Sequence, residues 1–200
     1  MKLLILGATG PTGQQLVAQA LEAGHQVAAL VRAESNLPSP VEVIRGDGRD
    51  LAAIAGASRG RDAVLSALGT GKSLKGGIAS RAAANLVAAS VKRLIFMSSF
   101  GVGDSFDDAT LPQKLIFRTL LRSIYADKAK ADATIQSSSL DWTIVRPVML
   151  TNGPHTGAYR VGENLHPHGF PKISRADVAD FMIRELTERT WIRKTVVISA

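Results

Sequence analysis

The chain has no cysteine in its 200 residues, which excludes disulfides, thiolate catalysis and cysteine-ligated zinc. It also has no apolar run long enough to span a bilayer. Met1-Lys2 leads straight into the first apolar run, so no signal peptide is expected. These absences together make a cytoplasmic location the expectation and leave no membrane partner to expect. Acidic residues are the minority, 17 against 24 Lys plus Arg, for a formal charge of +7. Lys114, Arg118, Arg122, Lys128 and Lys130 fall on one long helical stretch, with Arg184, Arg189, Arg193 and Lys194 near the C-terminus. A basic face can serve nucleic acid, but recognition-helix, RRM and zinc-finger patterns are all missing, so no nucleic-acid partner is expected. Steering of an anionic small molecule, or a solvated helix face, accounts for the charge more simply. What is present is an ordinary globular balance, 46% hydrophobic and 20% charged, and enough chain for one domain with a real core.

The most informative feature is a glycine pattern near the N-terminus. Lys2-Leu3-Leu4-Ile5-Leu6 reads as a buried strand, and Gly7-Ala8-Thr9-Gly10-Pro11-Thr12-Gly13 follows it. From Gln14 to Ala23 the apolar spacing is helical, at Leu16, Val17, Ala20 and Leu21. A strand, a glycine-rich turn and a helix start together make a pyrophosphate site. Gly7 serves the tight turn, Gly10 the approach of backbone to phosphate, and Gly13 the close packing of helix on strand. Thr9, Pro11 and Thr12 lie on the same turn. Unpaired N–H groups and the helix dipole then face the anion. The spacing is G-x-x-G-x-x-G rather than the more familiar G-x-G-x-x-G.

Further strand-like runs at residues 26–31, 41–44, 63–68, 93–97, 142–145 and 195–198 are rich in Val, Ile and Leu with little polar alternation, as in strands buried on both faces. Helical stretches lie between them at 51–55, 78–91, 112–137 and 175–188, with Ser174 as an N-cap candidate for the last. This alternation predicts an α/β protein with a doubly wound, mostly parallel sheet: a three-layer α/β/α Rossmann fold in a single domain, residues 1–200. Its ligand crevice belongs at the carboxyl ends of the strands. Residues 152–171 carry four Gly, three Pro and three of the four His, and are expected to form a long loop covering the substrate.

The residues at the strand ends sort into roles. Arg32 follows the second strand, nineteen residues after Gly13, where an arginine accommodates a 2′-phosphate and an acid would bind the ribose hydroxyl. This predicts NADP(H). Asp47, after the third strand, is positioned to accept from the adenine amino group. Leu68-Gly69-Thr70, after the fourth, lets a nucleotide lie against the backbone. Met97-Ser98-Ser99-Phe100 and Val145-Arg146-Pro147-Val148 end the fifth and sixth strands and are expected to border the nicotinamide and the substrate.

Taken together, Gly7 to Gly13, Gly46-Asp47, Ser98-Ser99 and Leu140-Asp141-Trp142-Thr143-Ile144-Val145-Arg146-Pro147 resemble the atypical short-chain dehydrogenases of NmrA-like character. Within that group the chain is most similar to the biliverdin reductase B family of NADPH-dependent flavin reductases. Leu30-Val31-Arg32, Leu68-Gly69-Thr70, Thr156-Gly157-Ala158-Tyr159 and Ile173-Ser174 extend the likeness over nearly the whole chain. The resemblance implies hydride transfer from NADPH to a flavin (FMN or FAD, as substrate rather than as a tightly bound cofactor) or to a linear tetrapyrrole such as biliverdin. It puts the active-site serine at Ser99 and the cofactor-selecting arginine at Arg32. A histidine of some members falls on Met149, so histidine-dependent chemistry is in doubt.

Ordinary short-chain dehydrogenases use Tyr-x-x-x-Lys to relay a proton to a carbonyl. Here Tyr125-Ala126-Asp127-Lys128 is one residue too short, and alignment with the family puts Ile124 in the tyrosine slot. An alcohol or ketone substrate is therefore not expected. A flavin needs no such relay: it takes hydride at N5 and a proton from water at N1, and the protein has only to stack the rings. Phe100, Phe106, Trp142 and Tyr159 are wall candidates, and Met149 and His155 complete the substrate-binding set. His25 reads as structural. His166-Pro167-His168 lacks acidic or cysteine partners in sequence, so no metal is expected. Two alternatives stay open: an NADP(H)-binding redox sensor without turnover, and an assembly factor on a vestigial nucleotide fold. Size and a buried sheet are compatible with a monomer.

Overall fold

The computed structural model describes residues 1–69 and 76–200. Ten strands and six helices alternate: β1 (Lys2–Leu6), α1 (Pro11–Glu22), β2 (Gln26–Val31), β3 (Glu42–Arg45), α2 (Leu51–Ser58), β4 (Ala63–Ser66), α3 (Ala79–Ala88), β5 (Arg93–Met97), α4 (Leu111–Arg118), α5 (Arg122–Gln136), β6 (Asp141–Pro147), β7 (Met149–Thr151), β8 (Arg160–Gly162), β9 (Lys172–Ser174), α6 (Arg175–Glu188) and β10 (Lys194–Ser199), with a 3-10 turn at Gly103–Phe106. The main sheet runs β3-β2-β1-β4-β5-β6-β10-β8. All its pairs are parallel except β8 with β10. The Rossmann fold read from the alternating pattern is the observed one.

Strands β1, β2, β4, β5 and β6 are buried on both faces, and successive residues feed two cores, whereas the edge strand β3, expected to be buried too, is largely exposed. Leu3, Ile5, Val27, Ala29, Ile95 and Met97 pack toward α1 and α6 with Leu16, Val17, Val178 and Met182. Leu4, Leu6, Ala28, Leu30, Leu94 and Phe96 pack toward α2, α3 and α5 with Ile54, Leu86 and Ile135. This is the two-residue period of a strand serving two helix layers. A buried ion pair joins the layers: Arg93 reaches Glu185 at 2.8 Å, both nearly solvent-free, and Glu185 also accepts from the backbone N–H of Trp191 at 3.0 Å. The strand order reverses between β1 and β4, which opens a crevice at their carboxyl ends.

Three expectations needed correction. The helical stretch at 112–137 is two helices, because Thr119 and Leu121 leave helical geometry and the Thr119 hydroxyl donates back to the Leu115 carbonyl at 2.7 Å. Helix α4 buries none of its side chains: Leu111 is 82% exposed and Leu115 65%. The third strand starts one residue later than expected. Residues 152–171 are not all loop, since β8 lies within them and pairs antiparallel with β10 at the sheet edge. Strands β7 and β9 form a separate parallel pair that leads into α6. Among the described residues no helix is long and apolar enough to cross a membrane.

Candidate active site

The crevice is a cleft of about 430 Å³ over the carboxyl ends of β1 to β4. Gly7, Thr9, Gly10, Pro11 and Thr12 form its floor, and Arg32, Asp47, Leu68 and Gly69 lie along it. Two glycines build the turn. Gly7 has φ +78°, and a Cβ there would lie 2.6 Å from the Ala67 carbonyl oxygen at the end of β4. A Cβ on Gly13 would overlap the Gly7 carbonyl oxygen and come within 2.7 Å of the Ala8 Cα. Helix α1 therefore packs on the strand exit at a distance no larger residue permits.

The amino end of α1 is left open for an anion. Its N-cap is Gly10, which supplies no side-chain acceptor, the first turn holds no acid, and Pro11 has no N–H to satisfy. The backbone N–H groups of Thr12 and Gly13 remain without a hydrogen-bond partner among the described residues. A pyrophosphate fits this arrangement in charge and in donor geometry.

At the other end of the cleft the structure adds a residue that sequence reading missed. Arg49 clamps Asp47 from two nitrogens, Nε at 3.0 Å and Nη2 at 2.6 Å. These bonds hold the Asp47 carboxyl down at about 2, with Arg32 contributing through its charge. Arg32, Asp47 and Arg49 are thus one cluster with an excess positive charge, facing the cleft. Leu150 and Arg175 also line it, brought there by β7, β9 and the first turn of α6. The Arg175 guanidinium is held by Asn152 Oδ1 at 2.7 Å. The only sequence signal for Arg49 was its place two residues after Asp47, and for Arg175 its place after the N-cap. Thr70 falls outside the described residues.

Met97 at the end of β5 lines the cleft, whereas Ser98, Ser99 and Pro147 are not among its lining residues. Buried Ser98 turns its hydroxyl inward, to Asp132 Oδ2 at 3.1 Å, and Asp132 also accepts from Arg146 Nε at 3.2 Å. Arg146 in turn pairs with Asp104. Burial raises the Asp132 carboxyl despite Arg146. Lys128 and Tyr125 do not meet each other. Lys128 Nζ donates to the Ser98 carbonyl at 2.8 Å, and the Tyr125 hydroxyl donates to the Phe100 carbonyl at 3.1 Å. Burial pushes the Lys128 amine down to about 8 and the Tyr125 phenol upward. From the β6 side, Ser98 N–H donates to Val145 and Phe100 N–H to the Pro147 carbonyl. Ser99 stands between, half-buried, its hydroxyl without a partner among the described residues.

The expected substrate residues lie elsewhere. Phe100 and Trp142 are buried in the two cores. Met149 is half exposed at the start of β7. His155 Nε2 lies 3.4 Å from Asp180, and the Tyr159 hydroxyl donates to the same carboxylate at 2.6 Å. Thr156 and Gly157 N–H groups donate to Asp177 at 2.7 and 2.9 Å. This part of the 152–171 segment is fastened to α6, and none of these residues lines the cleft. His25 sits beside the N-terminal amine, its Nδ1 at 3.3 Å. His166 pairs with Asp108 at 2.7 Å, and among the described residues no cluster of three metal-ligating side chains forms.

A family model described as NAD(P)H-binding matches residues 7–189. The chain belongs to this NAD(P)H-binding family. Among curated relatives, the uncharacterized sugar epimerase YhfK of Bacillus subtilis is 30% identical over 94% of this chain and 89% of its own. Among solved structures, ChuY of Escherichia coli O157:H7, described as an anaerobillin reductase, is 26% identical with a TM-score of 0.82, covering 99% of this chain and 96% of that one. A short-chain dehydrogenase/reductase from Veillonella parvula, solved with NADP, shares the fold at 20% identity and a TM-score of 0.82, covering 100% and 94% of the two chains.

Proposed function

We propose that this protein is an NADPH-dependent reductase of a flat conjugated acceptor, a flavin or a linear tetrapyrrole. The observation that carries the reading is the cleft itself: an open helix terminus at one end and the Arg32–Asp47–Arg49 cluster at the other, spaced along one groove. A dinucleotide whose adenosine carries an extra phosphate matches both ends. The likeness to a protein described as an anaerobillin reductase supports a conjugated acceptor.

In this reading Thr12 and Gly13 N–H groups bind the pyrophosphate, and Arg32 with Arg49 binds the 2′-phosphate. Asp47 stays ionised and orients Arg49, because its carboxyl is held far below neutral pH. The bound dinucleotide supplies the hydride donor. Ser99, two residues beyond the cleft-lining Met97, offers a hydroxyl with no partner among the described residues, on a turn that Lys128, Tyr125 and β6 hold. Rigid placement is the main demand when the acceptor needs only to be stacked and kept dry. Chemistry that needs a proton-relaying tyrosine, such as epimerisation through a keto sugar, has no support: the Tyr125 hydroxyl is committed to the Phe100 carbonyl.

The test is NADPH oxidation, followed by its near-ultraviolet absorbance, with FMN, FAD or biliverdin added. Saturable, acceptor-dependent oxidation is expected. Tight NADPH binding with no such oxidation would refute the reductase reading and favour a redox sensor.

A further inference from the structure

A separate open groove of about 350 Å³ lies between the turn after β5 and helices α4 and α5. Its wall is aromatic. Phe117 and Tyr125 stack with ring centroids 4.5 Å apart at 20°, and Gly101, at φ +87°, lets the Phe117 ring lie directly against the turn. Its rim is cationic. The Arg118 guanidinium sits 4.8 Å from the centre of the Phe106 ring, and Arg122 lines the same groove. Neither arginine has a carboxylate within ion-pair distance among the described residues. Lys114 and Arg118 stack like charges one helical turn apart, which disfavours the helix unless an anion offsets them.

Position gives this groove a role. Gly101 is two residues from Ser99, so their Cα atoms are no more than about 7 Å apart. A ring stacked at Ser99 can send a ribityl or propionate side chain over the Tyr125–Phe117 wall to the two guanidinium groups. The geometry points to this groove as the subsite for the anionic tail of the acceptor, a phosphate or a carboxylate, with Arg118 and Arg122 as the residues that recognise it. The inference rests on the proposed reductase function and narrows its substrate class: acceptors with an anionic tail are preferred over the same rings without one. Guanidinium forks suit phosphate and carboxylate alike.

Two substrate pairs separate the sources of the anion. FMN and riboflavin differ only by a phosphate; biliverdin and its dimethyl ester differ only in carboxylate charge. With NADP+ present, quenching of flavin fluorescence and absorbance titration of the tetrapyrrole read binding independently of turnover. At least one pair is expected to show a tenfold or greater preference for the charged member. The Arg118→Ala/Arg122→Ala double variant should bring that ratio to near one. A double variant that removes two exposed lysines at the opposite end of the sheet, Lys2→Ala/Lys92→Ala, should keep it, which excludes general charge steering. Equal binding within both pairs, or a preference that survives the arginine substitutions, overturns the inference. If the preference holds but no acceptor is reduced, the subsite stands and the reductase reading falls. If acceptors are reduced without preference, the reductase reading stands alone.

Discussion

Substituting Gly10 and Gly13 by alanine, one at a time, should separate folding from cofactor binding within one turn. At Gly13 the added methyl would overlap the Gly7 carbonyl oxygen and lie 2.7 Å from the Ala8 Cα and the Gly7 carbonyl carbon. All three are backbone atoms at a strand exit, so no side chain can swing away, and α1 must move off β1. Overpacking of this kind costs about 1–3 kcal/mol. With only rigid neighbours the upper end applies, and about 3 kcal/mol lowers the melting temperature of a chain this size by about 6–12 °C. Gly10 is the opposite case. Its backbone is extended, at φ −80° and ψ 163°, which alanine adopts freely, and the one near atom is the Gly7 oxygen at 3.3 Å. Its melting temperature should stay within about 2 °C of the parent, since alanine also costs the unfolded chain entropy. Its methyl would instead fill the space where the pyrophosphate meets the backbone, and NADPH affinity should fall by about ten- to a hundredfold, or about 1.4–2.8 kcal/mol. Thermal unfolding by circular dichroism and calorimetric titration with NADPH read the two effects. Unimpaired NADPH binding by Gly10→Ala would refute the placement of the pyrophosphate, and a Gly13→Ala protein that melts like the parent would refute the packing argument.

Arg32→Ala should weaken NADPH binding by about one to two orders of magnitude and leave NADH nearly unchanged; equal losses for both cofactors would remove Arg32 from 2′-phosphate recognition. Ser99→Ala should lower turnover more than NADPH affinity in steady-state and binding measurements, and a collapse of affinity alone would make Ser99 a cofactor ligand. Glu185→Ala strands the Arg93 guanidinium in the core and should cost about 3–5 kcal/mol in denaturant unfolding, whereas a cost below about 1 kcal/mol would mean that water or another acceptor replaces the carboxylate. The Lys128 amine is held at about 8 in the fold and titrates near its ordinary value of about 10.4 when unfolded. Between these values the unfolded chain binds more protons, so this residue makes stability rise with pH from about 8 to about 10, by up to about 3 kcal/mol in all. Lys128→Met should remove that rise, and unfolding curves that respond to pH identically in both proteins would show that the amine is not charged against its burial.

The cofactor half of the molecule was legible because its determinants are local. A strand buried on both faces must be continuously apolar, as Leu3-Leu4-Ile5-Leu6 is. A turn with positive φ that abuts another strand must be glycine, as at Gly7. The order of elements then dictates which strand ends meet, so Gly7, Arg32, Asp47 and Gly69 reach one cleft although they are far apart in sequence. Helix α4 was misjudged for a related reason. Leu111, Leu115, Lys114 and Arg118 have good helical spacing, and spacing continues through Leu120-Leu121-Arg122, yet α4 has no fully buried side chain, and Phe117, stacked on Tyr125, is too little to keep it in line with α5. Propensity decides that a helix forms; burial decides where it ends.

The acceptor half was opaque because its residues act through the backbone of other segments. In the sequence, Tyr125 and Lys128 read only as a relay motif one residue too short. In the fold they diverge to two carbonyls of one turn, Phe100 and Ser98, on either side of Ser99. The residues chosen for their chemical type, His155 and Tyr159, are drawn away by Asp180, while Asp177 ties down the backbone between them. Strands β7 and β9 have three residues each, too short for any periodicity to show, yet they carry Leu150 and Arg175 into the cleft. A turn fastened by a buried amine and a half-buried phenol is a positioning device, and under the proposed function it would hold Ser99 against an acceptor that draws its proton from water.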